Sequence, residues 1–187
     1  MEALSYLLRR NSLMWRRLIG LAIPLFCFGP QGAELANAGN LVVAPHPDAD
    51  VLFAAGVVYR SVGVEETTVV YVTNGDIKGV SSGLQRQAEA VSAQTTQPGT
   101  TEPNLIFLGY PEGALRQIFT SYQSATSQYC TSFSQCVTYG NRGLGSADYH
   151  TFRFGAPAAY NYANIVLDLQ TLIDTYRPAH IYTTSEF

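Results

Sequence analysis

The side chains best suited to chemistry lie together in the stretch His46-Pro47-Asp48-Ala49-Asp50, which holds one imidazole and two carboxylates. Imidazole and carboxylate groups serve enzymes as general acids and bases and as metal ligands. Proline on either side of His46 favours an extended turn, because a residue before proline avoids the helical region. The stretch therefore predicts a catalytic or metal site, with capping of the next helix by Asp48 as the alternative.

Four short apolar or β-branched runs and three segments of helical period must position this stretch, and turn residues separate them. The predicted strands are residues 40–44, 67–73, 104–108 and 180–184, and the predicted helices are residues 50–60, 84–94 and 160–176. Strands that alternate with helices are typical of a parallel sheet with right-handed crossovers. We therefore expect an α/β fold, a Rossmann-like open parallel sheet with flanking helices, truncated after about four strands.

Polar side chains follow every predicted strand. Parallel topology brings the carboxyl ends of all strands to one edge of the sheet, where open α/β sheets bind their ligands. The polar residues expected at that edge are His46, Asp48, Asp50, Asn74, Asp76, Tyr110, Glu112, Ser185 and Glu186. Their shared location predicts a ligand site rather than helix capping alone.

The N-terminal segment has the order of a secretory signal: arginines, then the apolar run Leu18 to Phe28, then the small residues Ala36-Asn37-Ala38. The apolar run is shorter than the about 20 residues that span a bilayer. We therefore predict that residues 1–38 are a signal peptide and that the protein is secreted. The alternative is an uncleaved signal anchor, which would leave the protein membrane-anchored in the secretory pathway and is the one predicted route to membrane association.

Residues 39–187 are predicted to form one domain that contains a long, irregular and aromatic insertion over residues 110–159. Cys130 and Cys136 lie in this insertion, and an even pair in an exported chain predicts a disulfide, with two unpaired thiols as the alternative. The net charge is −3 and Lys78 is the single lysine, so the sequence predicts no basic surface for nucleic acid.

The central stretch Pro45-His46-Pro47-Asp48-Ala49-Asp50 resembles the Pro-His-Pro-Asp-Asp-Glu signature of the PIG-L/LmbE-like zinc-dependent N-acetylglucosamine-type deacetylases. Further stretches match this family in the family's order. They are Val72-Thr73-Asn74-Gly75-Asp76, the Arg-x-x-Glu helix Arg86-Gln87-Ala88-Glu89, the turn Leu108-Gly109-Tyr110-Pro111-Glu112-Gly113, and Arg177-Pro178 before a later strand. The resemblance extends from about residue 40 to residue 187.

The resemblance implies zinc-dependent hydrolysis of an N-acetyl group from an N-acetylglucosamine-type sugar or glycoconjugate, which would be the partner of this protein. It implies that His46 is a zinc ligand and that Asp48 is the general base, which removes a proton from the attacking water. The residues implied in substrate binding or its support are Arg86, Glu89, Asn74 and Asp76. For Arg86 and Glu89 the alternative is an ordinary salt bridge on the helix surface.

The chain departs from the family pattern at two zinc-ligand positions. Ala49 stands where the family has its ligand aspartate, and a methyl group does not coordinate zinc. Asp50 is the tentative replacement, although successive helical residues are about 100° apart, so Asp50 would point elsewhere unless the turn is rebuilt. The family's later histidine lies beyond the last predicted strand, whereas His180 begins that strand and His150 lies in the insertion.

Three functions are therefore compared. The first is a deacetylase whose activity Ala49 and the truncation would impair. The second is a non-catalytic, glycan-binding relative or pseudoenzyme. The third, which the flanking prolines and the later family matches disfavour, takes Asp48-Ala49-Asp50 as the Asp-x-Asp metal motif of a nucleotide-sugar glycosyltransferase.

Overall fold

The structure, a computed structural model, describes residues 39–61, 64–96, 100–141 and 146–184. Its four strands are β1 (Asn40–Ala44), β2 (Thr67–Thr73), β3 (Leu105–Tyr110) and β4 (His180–Thr183). All neighbouring strands are parallel, and their order in the sheet is β3-β2-β1-β4. The predicted α/β fold, a Rossmann-like parallel sheet flanked by helices, is confirmed.

Five α-helices connect or flank these strands: α1 (Ala55–Ser61), α2 (Val80–Thr96), α3 (Leu115–Ser121), α4 (Tyr149–Phe154) and α5 (Tyr162–Tyr176). A π-helical turn, Asp50–Ala54, runs directly into α1, and a 3₁₀ turn, Glu102–Asn104, leads into β3. The three predicted helices are therefore present, with α2 longer at both ends than its apolar period indicated.

Helices α3 and α4 lie within residues 110–159, which the sequence predicted to be irregular. Local end signals explain α4. Its N-cap is Asp148, whose side chain accepts a hydrogen bond from the backbone amide of Thr151 at 2.8 Å. The helix ends at Gly155, whose φ of 82° is the left-handed conformation that glycine adopts without steric cost. Both helices are short, so an apolar period of 3.6 residues has little length over which to show.

The core consists of two apolar layers, one on each face of the sheet. Alternate residues of β1 divide between them: Leu41 and Val43 pack in the layer that includes α5, whereas Val42 and Ala44 pack in the layer that includes α1 and α2. Every residue of β1, β2 and β3 is buried, as expected for parallel strands covered on both faces. The sheet is therefore a rigid support for the residues at its carboxyl edge.

The segment between α3 and α4 is fastened to the domain near the start of α5. Cys130 and Cys136 form the predicted disulfide. The Tyr129 amide donates to the Tyr160 carbonyl at 2.9 Å, and the Tyr160 amide donates to the Cys136 carbonyl at 3.0 Å. These hydrogen bonds place the disulfide loop beside the residues that lead into α5.

Among the described residues, no helix combines the length and apolarity needed to cross a bilayer. Residues 1–38, predicted as a signal peptide or signal anchor, lie outside the described residues. Their removal and the export of the protein therefore stay predictions.

Candidate active site

The turn after β1 carries the candidate catalytic residues and is tied to the end of β2. The carbonyl of Pro45 accepts hydrogen bonds from the amide of Thr73 at 3.0 Å and from its hydroxyl at 2.8 Å. Both prolines around His46 lack an amide donor, so the turn depends on such bonds from neighbouring elements. The turn is thereby held at the carboxyl edge of the sheet, where the sequence predicted it.

Asp48 is the centre of this site. Its carboxylate lies 2.8 Å from Nδ1 of His46 and 2.9 Å from Nη1 of Arg86. An ionised carboxylate only accepts hydrogen bonds, so His46 donates from a protonated Nδ1. The side chain of Asp48 is nevertheless 54% exposed, which leaves the carboxylate accessible to water and ligand.

The backbone of Asp48 is strained. Its φ is 106°, a value that residues with a Cβ rarely adopt. Such a conformation costs about 1–3 kcal/mol and persists where the surroundings fix it, most often at functional sites. The strain, together with the exposed carboxylate, distinguishes Asp48 from an ordinary helix cap, and no capping bond from a side chain is made at the start of the following π-helical turn.

Arg86 reaches the turn from α2 by crossing Gly75. A Cβ at position 75 would lie 2.6 Å from Cδ of Arg86, and Gly75 also has a φ of 69°. Glycine is therefore required twice, for its conformation and for the close passage of the arginine. Nη1 of Arg86 also donates to the carbonyl of Pro47 at 3.3 Å, so the guanidinium joins α2 to the turn.

A cleft of about 290 Å³ opens between this turn and α2. Its polar lining consists of Asp48, Asp50, Arg86 and Glu89, with Pro47, Val51, Ala90 and Ala93 as the apolar part. Glu89 accepts a hydrogen bond from Gln85 at 2.8 Å, whereas Arg86 pairs with Asp48. The predicted alternative, a surface salt bridge between Arg86 and Glu89, is therefore not the arrangement found.

Asn74 and Asp76, which the resemblance implied in substrate binding, are each 1% exposed and bind other parts of the protein. The side-chain Nδ2 of Asn74 donates to the Gly109 carbonyl at 2.9 Å. Asp76 accepts from the amide of Glu112 at 2.8 Å and from the hydroxyl of Tyr139 at 2.6 Å. Burial, and then the hydrogen bond to Asp76, raise the pKa of Tyr139. These two residues thus fix the turns that follow β2 and β3.

Asp50, the tentative metal ligand, is bound by side chains of β2 and α2. It is 1% exposed, and its carboxylate accepts hydrogen bonds from the Tyr71 hydroxyl at 2.8 Å and from the Gln94 side chain. Burial, and then the charge of Asp50, raise the pKa of Tyr71. These hydrogen bonds hold the carboxylate of Asp50 between β2 and α2, and Asp50 also lines the cleft beside Asp48.

The described residues do not fit the zinc ion that the family resemblance implies. Ala49 is 5% exposed, and its methyl group packs in the apolar layer beside α1 and α2. Within the described ranges, no group of three or more histidine, cysteine, aspartate or glutamate side chains is arranged to hold a metal ion. A mononuclear catalytic zinc requires three protein ligands, and of the two family ligand positions at this turn His46 keeps its residue type and Ala49 does not.

A second histidine–aspartate pair was not predicted as a unit. Nδ1 of His150 lies 2.7 Å from Oδ1 of Asp168, and the hydroxyl of Tyr110 donates to Oδ2 of Asp168 at 2.7 Å. Burial raises the pKa of Asp168, and the hydrogen bonds from His150 and Tyr110 oppose this effect. Asp168 lies between the buried residues Ile165 and Leu172 of α5, and a carboxylate on that apolar stripe was the available signal. His180 is exposed at the start of β4, away from the site.

The parallel sheet, with an exposed acid, an imidazole and a guanidinium at its carboxyl edge, defines an α/β protein with a cleft for a small polar ligand. The PIG-L family, described as GlcNAc-PI de-N-acetylase, matches residues 41–187. The chain belongs to the PIG-L family, so the predicted PIG-L/LmbE-like membership is confirmed. No curated protein and no solved structure matches the chain. Family membership suggests a deacetylase-like function on substrates that contain N-acetylglucosamine.

Proposed function

We propose that this protein hydrolyses the N-acetyl group of an N-acetylglucosamine-type sugar or glycoconjugate, with Asp48 as the general base. The observation that carries this proposal is the carboxylate of Asp48, which is exposed at a cleft yet held on a strained backbone by His46 and Arg86. Membership in a family described as a de-N-acetylase supports the choice of reaction.

The reaction assigns Asp48 two proton transfers. Water attacks the amide carbonyl carbon while the carboxylate takes the proton of that water. The C–N bond then breaks as the proton passes from Asp48 to the leaving nitrogen, which gives acetic acid and the free amine. Transfer of the acid's proton to the amine through water then gives acetate and an ammonium group. His46 holds Oδ1 of Asp48 through Nδ1, so the carboxylate keeps one orientation through both transfers. No step is assigned to zinc, because the described donors do not complete a site for it.

The second candidate is a non-catalytic, glycan-binding relative. The burial of Ala49 at a family ligand position favours it, because the described residues then keep the cleft without the family's set of ligands. The third function, a glycosyltransferase that uses an Asp-x-Asp motif, is not favoured. The carboxylate of Asp50 is bound by Tyr71 and Gln94, whereas that of Asp48 faces His46 and Arg86.

We also infer that the protein acts outside the cytosol. The disulfide between Cys130 and Cys136 supports this, since disulfides persist in oxidising compartments. Association with a membrane is proposed solely for the case in which residues 1–38 remain attached.

Acetate release tests the proposed function. The wild-type chain, Asp48→Asn and the control Asp174→Asn are incubated with N-acetylglucosamine, its glycosides and its lipid-linked form, and acetate and free amine are quantified. Asp174 is an exposed residue of α5, so its variant should match the wild type. Loss of the general base should lower the rate about 10²- to 10⁴-fold.

Two outcomes would count against a deacetylase. Equal acetate release by Asp48→Asn and wild type would remove Asp48 from the chemistry. Calorimetric binding of these sugars by a wild-type chain that releases no acetate would replace the deacetylase with the glycan-binding candidate.

A further inference from the structure

We propose that the guanidinium of Arg86, in place of a metal ion, is the cation that stabilises the reacting amide oxygen in this site. This inference rests on the proposed deacetylase function and names the group that supplies its electrophile. It also explains why the chain keeps Asp48, His46 and Arg86 in contact although alanine fills a ligand position.

Too few donors remain at this turn to hold a metal ion. The carboxylate of Asp50 is bonded to Tyr71 and Gln94, and Ala49 offers no donor, so the free Nε2 of His46 would be a single ligand among the described residues of the turn. The positive charge that faces Asp48 comes instead from Arg86, at 2.9 Å. Among the described residues, the positive charge beside the candidate base Asp48 is therefore supplied by Arg86 and not by a bound metal ion.

Arg86 also has donors left for a ligand. A guanidinium carries five N–H donors in a planar fork. The contacts that Arg86 makes with described residues, to Asp48 and to the carbonyl of Pro47, both use Nη1. Its side chain is 41% exposed and lines the cleft of about 290 Å³. The N–H groups on Nη2 and Nε make neither of these two contacts, and they are the donors that we assign to an oxygen of the substrate.

The arginine is held in place before any ligand arrives. Cδ of Arg86 occupies the space beside Gly75, where a Cβ at position 75 would lie 2.6 Å from it. The same Cβ would lie 3.4 Å from Cδ of Pro47, so Arg86 passes close to both residues. Preorganised donors aimed at a developing negative charge are often the largest contribution to catalysis, because they need no reorganisation during the reaction. Arg86 meets this condition through its crossing of Gly75 and its bond to Asp48.

The step that this arrangement serves is attack on the amide. As the water oxygen bonds to the carbonyl carbon, the C=O electron pair moves to oxygen, and Arg86 donates hydrogen bonds to that oxyanion. Asp48 holds the proton taken from water. When the C=O bond reforms, the C–N bond breaks and the proton passes to nitrogen. Atoms and charge balance without a further reactant.

A zinc titration tests the first half of the inference independently of activity. The full 187-residue chain is treated with a chelator and dialysed, and its melting temperature and bound zinc are measured before and after addition of zinc chloride. We expect substoichiometric zinc and an unchanged melting temperature. A zinc site saturated in the folded state would raise the melting temperature by several degrees. Stoichiometric zinc that is lost in His46→Ala would overturn the inference.

Arginine variants test the second half. Arg86→Ala should lower kcat for acetate release about 10²- to 10³-fold, with a smaller change in KM, whereas the exposed control Arg116→Ala should match the wild type. Millimolar guanidinium should restore part of the rate of Arg86→Ala, an effect that a purely structural arginine would not show. Arg86→Lys, which keeps the charge and loses the fork, should fall between the two.

The inference fails if Arg86→Ala keeps a wild-type kcat, or if guanidinium leaves the lowered rate unchanged while the variant unfolds at the same denaturant concentration as the wild type. A wild-type chain that releases no acetate would sink the proposed function instead, and the zinc titration would still decide whether this site holds a metal.

Discussion

Two histidine–aspartate pairs of almost identical geometry lie in different surroundings in this molecule. His46 and Asp48 are 2.8 Å apart with side chains 35% and 54% exposed, whereas His150 and Asp168 are 2.7 Å apart with side chains 11% and 0% exposed. Exposed ion pairs contribute about 0–1 kcal/mol to stability. Removing one partner of a buried pair costs about 3–5 kcal/mol. Burial, more than the contact itself, decides what each pair does.

Each aspartate has a further hydrogen-bond partner, and these partners differ between the buried and the exposed pair in the same way. Asp168 receives its second hydrogen bond from the buried hydroxyl of Tyr110, and the network joins α4, α5 and β3. Asp48 receives its second bond from Arg86 at a cleft and sits on a strained backbone. A strained residue in a weak, exposed pair is poorly explained by stability. We therefore assign the Asp168 network to structure and the Asp48 cluster to function.

The largest expected effect is on the buried network. Asp168→Ala should lower the free energy of unfolding by about 3–5 kcal/mol, because it leaves His150 and the Tyr110 hydroxyl without their buried acceptor. The matched control Asp174→Ala, an exposed residue of the same helix, should change it by less than about 0.5 kcal/mol. Urea denaturation followed by circular dichroism measures both. Equal midpoints for the two variants would contradict the structural assignment.

The pH dependence of stability gives a smaller test of the same network. Burial raises the pKa of Asp168 above the model-compound value of 3.8, so the folded state holds its proton to a higher pH than the unfolded state does. The stability associated with this proton is fully present below pH 3.8 and is lost as the pH rises through the raised pKa. The unfolding free energy of the wild type relative to Asp168→Asn should therefore fall with rising pH over that window. A relative stability that instead rises with pH would show that the hydrogen bonds outweigh burial.

A pair of glycine variants sharpens the assignment of the Asp48 cluster. Gly75 and Gly79 both have positive φ, 69° and 106°, so alanine should cost about 1–2 kcal/mol of stability at either position. Alanine at position 75 would also collide with Arg86, whereas a Cβ at position 79 meets no atom within 4 Å. Gly75→Ala should therefore lose acetate release and Gly79→Ala should keep it. Equal rates in the two variants would separate Arg86 from the reaction.

Much of the scaffold could be predicted from the sequence because its signals are local. The β-branched run at residues 67–73 is β2 without any shift of its ends. The contact of Arg86 with Asp48 joins residues 38 positions apart. Periodicity in a single sequence carries no information on such a contact, although the family resemblance did place both residues near one site.

The buried network and the short helices escaped prediction for related reasons. Tyr110 and Asp168 are 58 residues apart, and their pairing depends on how α5 packs on β3. Helix α4 has six residues, fewer than two helical turns, so its sequence shows end signals and no apolar stripe. The positive φ of Asp48 has no composition signal either, since glycine is the usual residue at such a φ and aspartate is far more often found at negative φ.

Replacement of Asp48 by glycine tests the central claim most directly, because glycine accepts the positive φ and removes the carboxylate. The measurement is acetate release by Asp48→Gly, made on protein whose unfolding free energy has been determined in the same buffer. We predict a free energy of unfolding within about 1 kcal/mol of the wild type, because strain relief offsets the lost exposed pair, together with loss of acetate release. Wild-type release of acetate by Asp48→Gly, or destabilisation as large as that of Asp168→Ala, would contradict the functional assignment of Asp48.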